Sequence, residues 1–276
     1  KACATGFALS LWQSSERRAA TPPSTTFRGT GSTRTARPEA EAFAVDGAVP
    51  PYGVAAVVVE HVPVDVGAPS GVWRGRAHGY TAFFTECFVD ELARKAGAEP
   101  FSFRMGMLGG NPRFARVLSA AAALGQWDGG GAGSVQGIAA HAMAGSIAAA
   151  VVEAGVGADG RIRVSRVSMV VDVGRVINPD LVRQQVEGGI LWGIAAATGS
   201  PIDHRGGLPS ARTLSELGLP HLTDTPDMRI EILPSLEAPG GAEEIAVPPI
   251  APAIANAIFA ATGQRLRSLP LVMGGR

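Results

Sequence analysis

Residues 245–264 contain no charged side chain, and this run is about as long as a helix that crosses a membrane. Its first half holds three prolines, whereas its second half places alanine, isoleucine and phenylalanine at helical spacing. Prolines interrupt a spanning helix, so the pattern favours a buried helix of a globular protein. We expect this helix over residues 251–262, with Gly263 as its stop, and no membrane span.

The composition is that of a globular chain with a substantial core, since 46% of the 276 residues are apolar and 17% are charged. Lys plus Arg and Asp plus Glu both number 24, so the net charge predicts no nucleic-acid partner. The two cysteines, Cys3 and Cys87, are too few for a disulfide framework or a thiolate metal cage. The five histidines are scattered singly, so we expect no metal held by protein side chains.

Composition also divides the chain. Residues 1–42 are rich in Ser, Thr, Pro and Arg without periodicity, which indicates an irregular or truncated segment. A basic nucleic-acid arm is the alternative, but the segment lacks interleaved aromatic residues. The Gly-rich residues 127–133 form a linker between residues 43–128 and residues 134–276. The chain starts with Lys1 rather than Met, so a signal peptide could have been lost, and the compartment, cytoplasm or periplasm, stays open.

Local patterns in the first half predict strands and two helices. Residues 54–66 are rich in β-branched residues around a proline, which indicates strand, bend and strand. Residues 81–97 and residues 112–125 have helical spacing, a glycine at the end and, in the second case, a proline at the start. The apolar stripe of the first helix consists of Phe84, Phe88 and Leu92.

The second half mixes strands and helices. Residues 145–156 and 161–173 are strand-like and are joined by a Gly-Ala-Asp-Gly turn, which predicts a hairpin. Asn178 followed by proline begins a helix. The apolar face of that helix consists of Val182, Val186, Ile190 and Ile194. Apolar and charged residues alternate over residues 227–233, which predicts a half-buried strand. Because no regular βαβ alternation is present, the expected class is α+β.

Two adjacent carboxylates, Glu243 and Glu244, lie between a Gly-Gly pair and a Pro-Pro pair. No Lys or Arg occurs between Arg229 and Arg265, so no cation close in sequence can pair with them. A glutamate held on a Gly-rich turn against an apolar helix would be poorly solvated and could act as a base. A solvent-exposed acidic turn explains the pair equally well.

Four blocks in order resemble the large subunits of the molybdenum hydroxylases, the xanthine dehydrogenase and aldehyde oxidase superfamily. They are most similar to the isoquinoline 1-oxidoreductase branch. The blocks are GVWRGRAHGYTAFFTECFVDELARKAGAEPFSFRMGML (71–108), GRIRVSRVSMVVDVGRVINPDLVRQQVEGGILWG (160–193), DMRIEILPSLEAPGG (227–241) and PGGAEEIAVPPIAPAIANAIFAATGQRLRSLPL (239–271). The resemblance covers roughly residues 50–276.

The resemblance implies a molybdopterin-binding fold of mixed sheets and helices and a molybdenum–molybdopterin cofactor, expected as a dinucleotide. The pterin dithiolene holds the metal, so no His or Cys cluster is needed. The implied reaction is hydroxylation of an N-heteroaromatic or aldehyde carbon with oxygen from water. Electrons would pass to a separate small iron–sulfur subunit, because the chain lacks the cysteines that such clusters need.

The resemblance also implies site residues. Glu244 occupies the position of the family's base, which takes a proton from a molybdenum-bound hydroxide as that oxygen attacks an electron-poor carbon. Gln185 falls where the family contacts the cofactor through an amide, and Arg74 with Gly75 falls where a loop approaches the pterin. Gly241, in the Gly-Gly pair, is assigned to the cofactor with them. Gln185 could instead be an ordinary polar helix residue, and Arg74 a surface ion-pair partner.

The sequence departs from the family pattern at three places. Glu243 stands where the family has a glycine, which adds a negative charge and removes a residue that tolerates unusual backbone angles. Residues 213–217 replace an Asn-Phe…Tyr block. The upstream Gly-rich cofactor loops are absent, so we expect a C-terminal part of a longer subunit that is inactive alone. A catalytically dead relic or a binding module with the same fold is the alternative function.

The enzyme hypothesis makes one demand on the structure. The segments that carry Arg74, Gln185 and Glu244 are far apart in the sequence, and they must converge on one site, because one cofactor has to meet all three.

Overall fold

A four-stranded sheet forms the middle layer of the fold. The computed structural model describes residues 42–62, 72–199, 204–206 and 208–274. The strands are β1 (Gln136–Met143), β2 (Ser146–Val156), β3 (Ile162–Asp172), β4 (His204–Arg205), β5 (Leu208–Pro209) and β6 (Asp227–Ile232). The large sheet has the order β1-β2-β3-β6, in which β1, β2 and β3 are antiparallel and β6 runs parallel to β3. A separate small hairpin pairs β4 with β5.

In the described part of the chain, five α-helices cover the two faces of the sheet. They are α1 (His78–Lys95), α2 (Pro100–Gly106), α3 (Pro112–Leu124), α4 (Pro179–Thr198) and α5 (Ile250–Thr262). Short 3-10 helices span Ala42–Val45, Leu214–Leu217 and Leu222–Asp224. Side chains of Glu99, Asn111 and Asn178 accept hydrogen bonds from backbone N–H groups at the starts of α2, α3 and α4, which satisfies donors that have no partner inside the helix.

Strand β2 divides the core because its side chains alternate between two apolar clusters. Ala148, Ala150 and Val152 pack with α1, α4 and α5, whereas Ile147 and Val151 face α3. Since successive strand residues point to opposite faces, a strand that is apolar at every position is buried on both sides. The result is a three-layer arrangement with helices on each face of the sheet.

A buried ion pair connects α1, α2 and β1. The Arg104 Nε atom lies 3.0 Å from Glu86 Oε2, and both side chains are essentially inaccessible to solvent. Tyr52 donates its hydroxyl to Glu86 Oε1 at 2.7 Å, and the Ala140 N–H lies 3.2 Å from Oε2. Burial and the neighbouring Glu86 raise the pKa of Tyr52, so the phenol stays a donor. A buried charge pair is tolerated when its remaining hydrogen-bonding groups are satisfied in this way.

Most of the long elements agree with the sequence expectations. The helices expected over residues 112–125, from Asn178 and over residues 251–262 are confirmed as α3, α4 and α5, and Gly263 ends α5 with a left-handed φ of 75°. The hairpin is confirmed as β2 and β3, and the half-buried strand as β6. The α+β class is also confirmed. Among the helices of the described ranges, none combines the length and the apolar composition that a membrane span requires.

One expected strand segment is absent, and two elements of the structure were not expected from the sequence. Residues 54–62 form no strand, since this segment has no sheet partner and Val59 packs in a small cluster with Val45 and Ala48; residues 63–66 lie outside the described ranges. Neither α2 nor β1 was predicted. Strand β1 is rich in alanine and glycine, so its side chains carry little strand preference.

The predicted apolar stripe of α1 was also wrong. Phe84 is 38% exposed, and Phe88 and Leu92 are only half-buried. The buried apolar face instead includes Phe83 and Cys87, because that side of α1 packs against α5. The division into residues 43–128 and 134–276 stays a prediction, and most of residues 1–42 lies outside the described part of the chain.

The close approach of α5 to β1 depends on Gly137. A Cβ atom at this position would lie 2.1 Å from the Ala253 carbonyl oxygen and 2.4 Å from the Ala257 nitrogen. We expect Gly137→Ala to lower the free energy of unfolding by about 1–3 kcal/mol, because helix backbone cannot move aside locally. In the same sheet a Cβ at Gly155 would meet nothing within 4 Å. Gly155→Ala should therefore change stability by less than about 0.5 kcal/mol. Urea unfolding of both variants measures this, and equal destabilisation would contradict the packing.

Candidate active site

Arg74 joins three segments that are distant in the sequence. Its Nε donates to the backbone carbonyl of Glu243 at 2.8 Å, and its Nη2 donates to the same oxygen. Nη2 also lies 3.2 Å from the Gln185 carbonyl oxygen and 3.1 Å from Gln185 Oε1. We call residues 72–77 the Arg74 loop and residues 238–249 the Glu244 turn. One guanidinium group therefore ties the Arg74 loop to the Glu244 turn and to α4.

Aromatic contact adds to this attachment of the loop. The Trp73 and Trp192 rings have centroids 5.2 Å apart with an interplanar angle of 40°, so the loop packs on the exposed side of α4. A Cβ atom at Gly188 would lie 3.4 Å from Arg74 Nη1. The small residue leaves room for the guanidinium beside the helix. The aromatic contact and the hydrogen bonds of Arg74 thus hold the loop on α4 at neighbouring points.

The Arg74 loop turns sharply at two consecutive left-handed residues. Gly75 has a φ of 95° and Arg76 has a φ of 48°. A Cβ atom at Gly75 would lie 2.9 Å from Val247 Cγ1, so a glycine is needed both for the backbone angle and for the close approach. The Gly75 N–H makes a long hydrogen bond of 3.4 Å to Glu244 Oε1. The turn thereby places a backbone donor and the Arg76 side chain beside Glu244.

The Glu244 turn is fixed to the sheet through its two glycines. The Gly240 N–H donates to the Val173 carbonyl at 2.8 Å, and the Gly241 N–H donates to the Ala144 carbonyl at 3.0 Å. A Cβ atom at Gly240 would lie 2.3 Å from Ser146 Oγ. Neither glycine has a left-handed φ, so close packing rather than backbone angle requires Gly240 here. These two hydrogen bonds attach the segment just before the carboxylates to the residues that follow β1 and β3.

Glu244 carries the most unusual carboxylate of the site. Its side chain is 16% exposed, and Arg76 Nε lies 3.1 Å from Oε2. This contact is an ion pair by distance only, because Oε2 is buried and accepts no hydrogen bond from the residues that the structure describes. No Lys or Arg is close to Glu244 in the sequence, and the cation comes instead from Arg76 in the Arg74 loop. A buried acceptor atom without a donor is costly, and such atoms often serve a ligand.

Glu243 is different from its neighbour. Its side chain is exposed, and its backbone carbonyl accepts the Arg74 hydrogen bonds. Its φ is not left-handed, so the replacement of a glycine by Glu243 costs no backbone strain, contrary to the expectation from the sequence. The other departure from the family pattern, residues 213–217, lies in and beside an exposed 3-10 helix.

Gln185 lies on the exposed side of α4, and its orientation is set by Arg74. A guanidinium group can only donate hydrogen bonds, so the Gln185 side-chain atom near Arg74 Nη2 must be the carbonyl oxygen Oε1. The Nε2 amide group has no partner among the described residues and keeps two N–H donors. Gln185 is therefore a donor that faces solvent in a fixed direction.

The structure thus brings together Arg74, Gly75, Gln185 and Glu244, four of the five residues that the sequence singled out. Gly241 anchors the turn through Ala144, and its N–H is used inside the protein. The roles of all five toward a cofactor stay predictions. In the described ranges, no three His, Cys, Asp or Glu side chains are grouped so that they could hold a metal ion.

Sequence reasoning missed a histidine pair beside this site. His78 Nδ1 and His141 Nε2 are 2.7 Å apart, although the residues are on α1 and β1 and no spacing in the sequence relates them. Burial, with a smaller effect from His78, lowers the pKa of His141 to about 3. Burial also lowers the pKa of His78, against the opposing effect of Asp46 and Glu244. Both rings are therefore neutral at pH 7 and share one hydrogen bond.

The buried His141 makes stability depend on pH. Its pKa is about 3 in the folded chain, against an ordinary value of 6.5. Below pH 6.5 the unfolded chain binds a proton at His141 that the folded chain does not bind. The free energy of unfolding therefore decreases as the pH is lowered. We expect a loss of about 2 kcal/mol between pH 7 and pH 5 from this residue. Urea unfolding at both pH values should show this loss in the wild type and in His221→Gln, an exposed control. His141→Gln should lack it, and an unchanged pH dependence would contradict the prediction.

Comparison with known proteins identifies the family. The model of the molybdopterin cofactor-binding domain matches residues 112–226. The chain is 32% identical over 204 residues to isoquinoline 1-oxidoreductase subunit beta of Brevundimonas diminuta, across 72% of the chain. The chain belongs to the molybdenum hydroxylase family. It spans 26% of the length of that relative, so this molybdenum hydroxylase chain corresponds to part of a larger subunit's sequence.

Two further similarities agree with the family. The chain is 30% identical over 259 residues to the membrane-bound aldehyde dehydrogenase [pyrroloquinoline-quinone] of Gluconacetobacter polyoxogenes, covering 83% of the chain and 33% of that protein. The crystal structure of the aldehyde oxidoreductase of Desulfovibrio desulfuricans superimposes with a TM-score of 0.63 at 14% identity, over 79% of this chain and 42% of that one. The structural likeness supports the molybdenum hydroxylase fold.

Proposed function

We propose that this chain is part of a molybdopterin-dependent oxidoreductase that hydroxylates an aldehyde or N-heteroaromatic carbon with oxygen from water, and that Glu244 is its base. The observation that carries the proposal is the Glu244 carboxylate. Its Oε2 atom is buried, accepts no hydrogen bond from the described residues, and lies on a turn that Arg74 connects to α4. The names of the relatives, an isoquinoline oxidoreductase and an aldehyde dehydrogenase, suggest the substrate class.

The residues around Glu244 fit a molybdopterin cofactor. The Gln185 amide presents two N–H donors in a direction fixed by Arg74, and pterin and phosphate groups are rich in acceptors. The Arg74 loop adds the positive charges of Arg74 and Arg76 on the same side. When bound, the cofactor would supply the oxygen nucleophile and accept the electrons that leave the substrate carbon. We assign Gln185, Arg74 and Gly75 to holding it, and we expect the dinucleotide form.

Glu244 would act by taking a proton from that nucleophile. A general base must reach the proton within hydrogen-bond distance, and it needs an acceptor atom that is not already used. Among the described residues, the Gly75 N–H is the one hydrogen-bond donor to Oε1, at a long distance, and Oε2 accepts no hydrogen bond. Because Gly240, Gly241 and Arg74 hold the turn, the carboxylate needs little reorganisation before it accepts the proton.

Electrons from the reaction would pass to a separate iron–sulfur subunit. The chain has only two cysteines, and Cys87 is buried in the core between α1 and α5. Burial raises the pKa of the Cys87 thiol strongly, which disfavours the thiolate that a cluster needs. We therefore propose a small partner subunit that carries the clusters.

A catalytically inactive relative is the competing proposal, suggested by Glu243 and by residues 213–217. Both features lie on exposed parts of the chain, and Glu243 is accommodated without backbone strain. Neither removes a contact that positions Glu244. The retained support of the Glu244 carboxylate favours the active enzyme.

The base assignment is tested by Glu244→Gln in the cofactor-loaded complex. This change keeps the shape of the side chain and removes its ability to take a proton. We expect turnover of an aldehyde or heteroaromatic substrate to fall by about 10²–10⁴-fold, with nearly unchanged molybdenum content per chain by elemental analysis. More than a tenth of the wild-type turnover would refute the assignment.

Glu243→Gly is the matched control, since it removes the neighbouring carboxylate and restores the family residue. Turnover should be equal to the wild type or higher. A loss as large as that of Glu244→Gln would mean that the wrong glutamate was chosen. The same elemental analysis distinguishes a molybdenum enzyme from a quinone enzyme, the class that the name of one relative suggests. An enzyme that used only a quinone cofactor would contain no molybdenum.

A further inference from the structure

Two arginines of the Arg74 loop, only two positions apart, are used in very different ways. Arg74 is half-buried, and its side chain donates to Glu243 and Gln185. The Arg76 side chain is 56% exposed, and its one polar contact among the described residues is the ion pair of Nε with Glu244. Arg74 therefore has a structural function in the loop. Arg76 contributes little to holding the loop in place.

The terminal nitrogens of Arg76 are open to a ligand. Nη1 and Nη2 carry four N–H donors, and no acceptor for them is found in the part of the chain that the structure describes. A guanidinium group presents its donors in a planar fork that matches a carboxylate. The left-handed φ of 48° is uncommon for arginine, yet it directs this side chain toward Glu244. Such a residue at a site edge is suited to bind an anion.

The position of Arg76 narrows the identity of that anion. Its guanidinium lies 3.1 Å from the proposed base, so a group bound to its outer nitrogens is next to the reacting end of the site. A substrate carboxylate near Glu244 would otherwise be repelled by the like charge, and Arg76 lies where it can offset this repulsion. We propose that Arg76 is a specificity-determining residue that favours substrates with a carboxylate group beside the oxidised ring or aldehyde. This inference rests on the proposed function.

The test compares a charged and a neutral substrate of the same shape in the cofactor-loaded complex. Two pairs serve, 4-formylbenzoate with 4-formylbenzamide, and isoquinoline-5-carboxylate with isoquinoline-5-carboxamide. We expect the wild type to have the higher kcat/KM for the carboxylate. In Arg76→Asn the ratio of the two kcat/KM values should fall about 10-fold, the loss of one charged hydrogen bond at a partly exposed site. Asparagine is chosen because it tolerates a left-handed φ.

Two variants control the comparison. Arg76→Lys keeps the positive charge but loses the planar pair of N–H donors, so its ratio of kcat/KM values should lie between those of the wild type and Arg76→Asn. Arg161→Asn removes an exposed arginine from the turn between β2 and β3, at the opposite end of these strands from the Glu244 turn, and should keep the wild-type ratio. An Arg161→Asn ratio that falls equally would show a general charge effect and overturn the proposal.

A binding measurement keeps the inference separate from catalysis. Quenching of tryptophan fluorescence, with Trp73 and Trp192 beside the site, gives Kd for terephthalate and for the neutral terephthalamide. Arg76→Asn should weaken only the terephthalate complex, about 10-fold. If no substrate is oxidised, the proposed function fails, and this binding result still decides the role of Arg76. Unchanged terephthalate binding would overturn the inference.

Molybdenum content is the last readout, since a cofactor phosphate is another anion that a guanidinium can bind. Arg76→Asn should keep the molybdenum content of the wild type. A large loss of molybdenum would assign Arg76 to the cofactor and overturn its role in substrate selection.

Discussion

The contacts of the Arg74 guanidinium with Glu243 and Gln185 are the interaction on which the candidate site depends. The three segments lie on different parts of the chain, and no continuous element of secondary structure joins them. A guanidinium has enough donors to serve two carbonyl groups and a side-chain amide together. Without this residue, the Arg74 loop would be held on α4 mainly by the Trp73–Trp192 contact, whereas the Glu244 turn would keep its hydrogen bonds to the sheet through Gly240 and Gly241.

The sheet gives this arrangement a rigid support. Arg113 on α3 donates to the buried Asp172 at the end of β3 and to the Gly145 carbonyl in the turn between β1 and β2. These hydrogen bonds lower the pKa of Asp172 although burial opposes the change, so the pair stays charged. The Glu244 turn is hydrogen-bonded to the same two places through Gly240 and Gly241. The base is thus fixed to the central sheet of the protein.

Local signals explain which parts were predictable. Asn178 with its following proline determined the start of α4, and Gly263 the end of α5, because caps and stops act within a few residues. Strand β1 was missed since its strand conformation comes from pairing with β2 and from packing under α5, not from its own side chains. The resemblance to a family located Glu244, Gln185 and Arg74. The Arg76–Glu244 and His78–His141 pairs join distant segments, and no spacing rule reports such pairs.

An anomalous-difference map at the molybdenum edge, from crystals of the cofactor-loaded complex, would locate the metal directly. We expect one molybdenum peak beside the Glu244 carboxylate, on the side where Oε2 lacks a hydrogen bond, with cofactor atoms in hydrogen-bond reach of Gln185 Nε2. A peak on the other side of α4, or active complex without molybdenum, would contradict the assignment of this site.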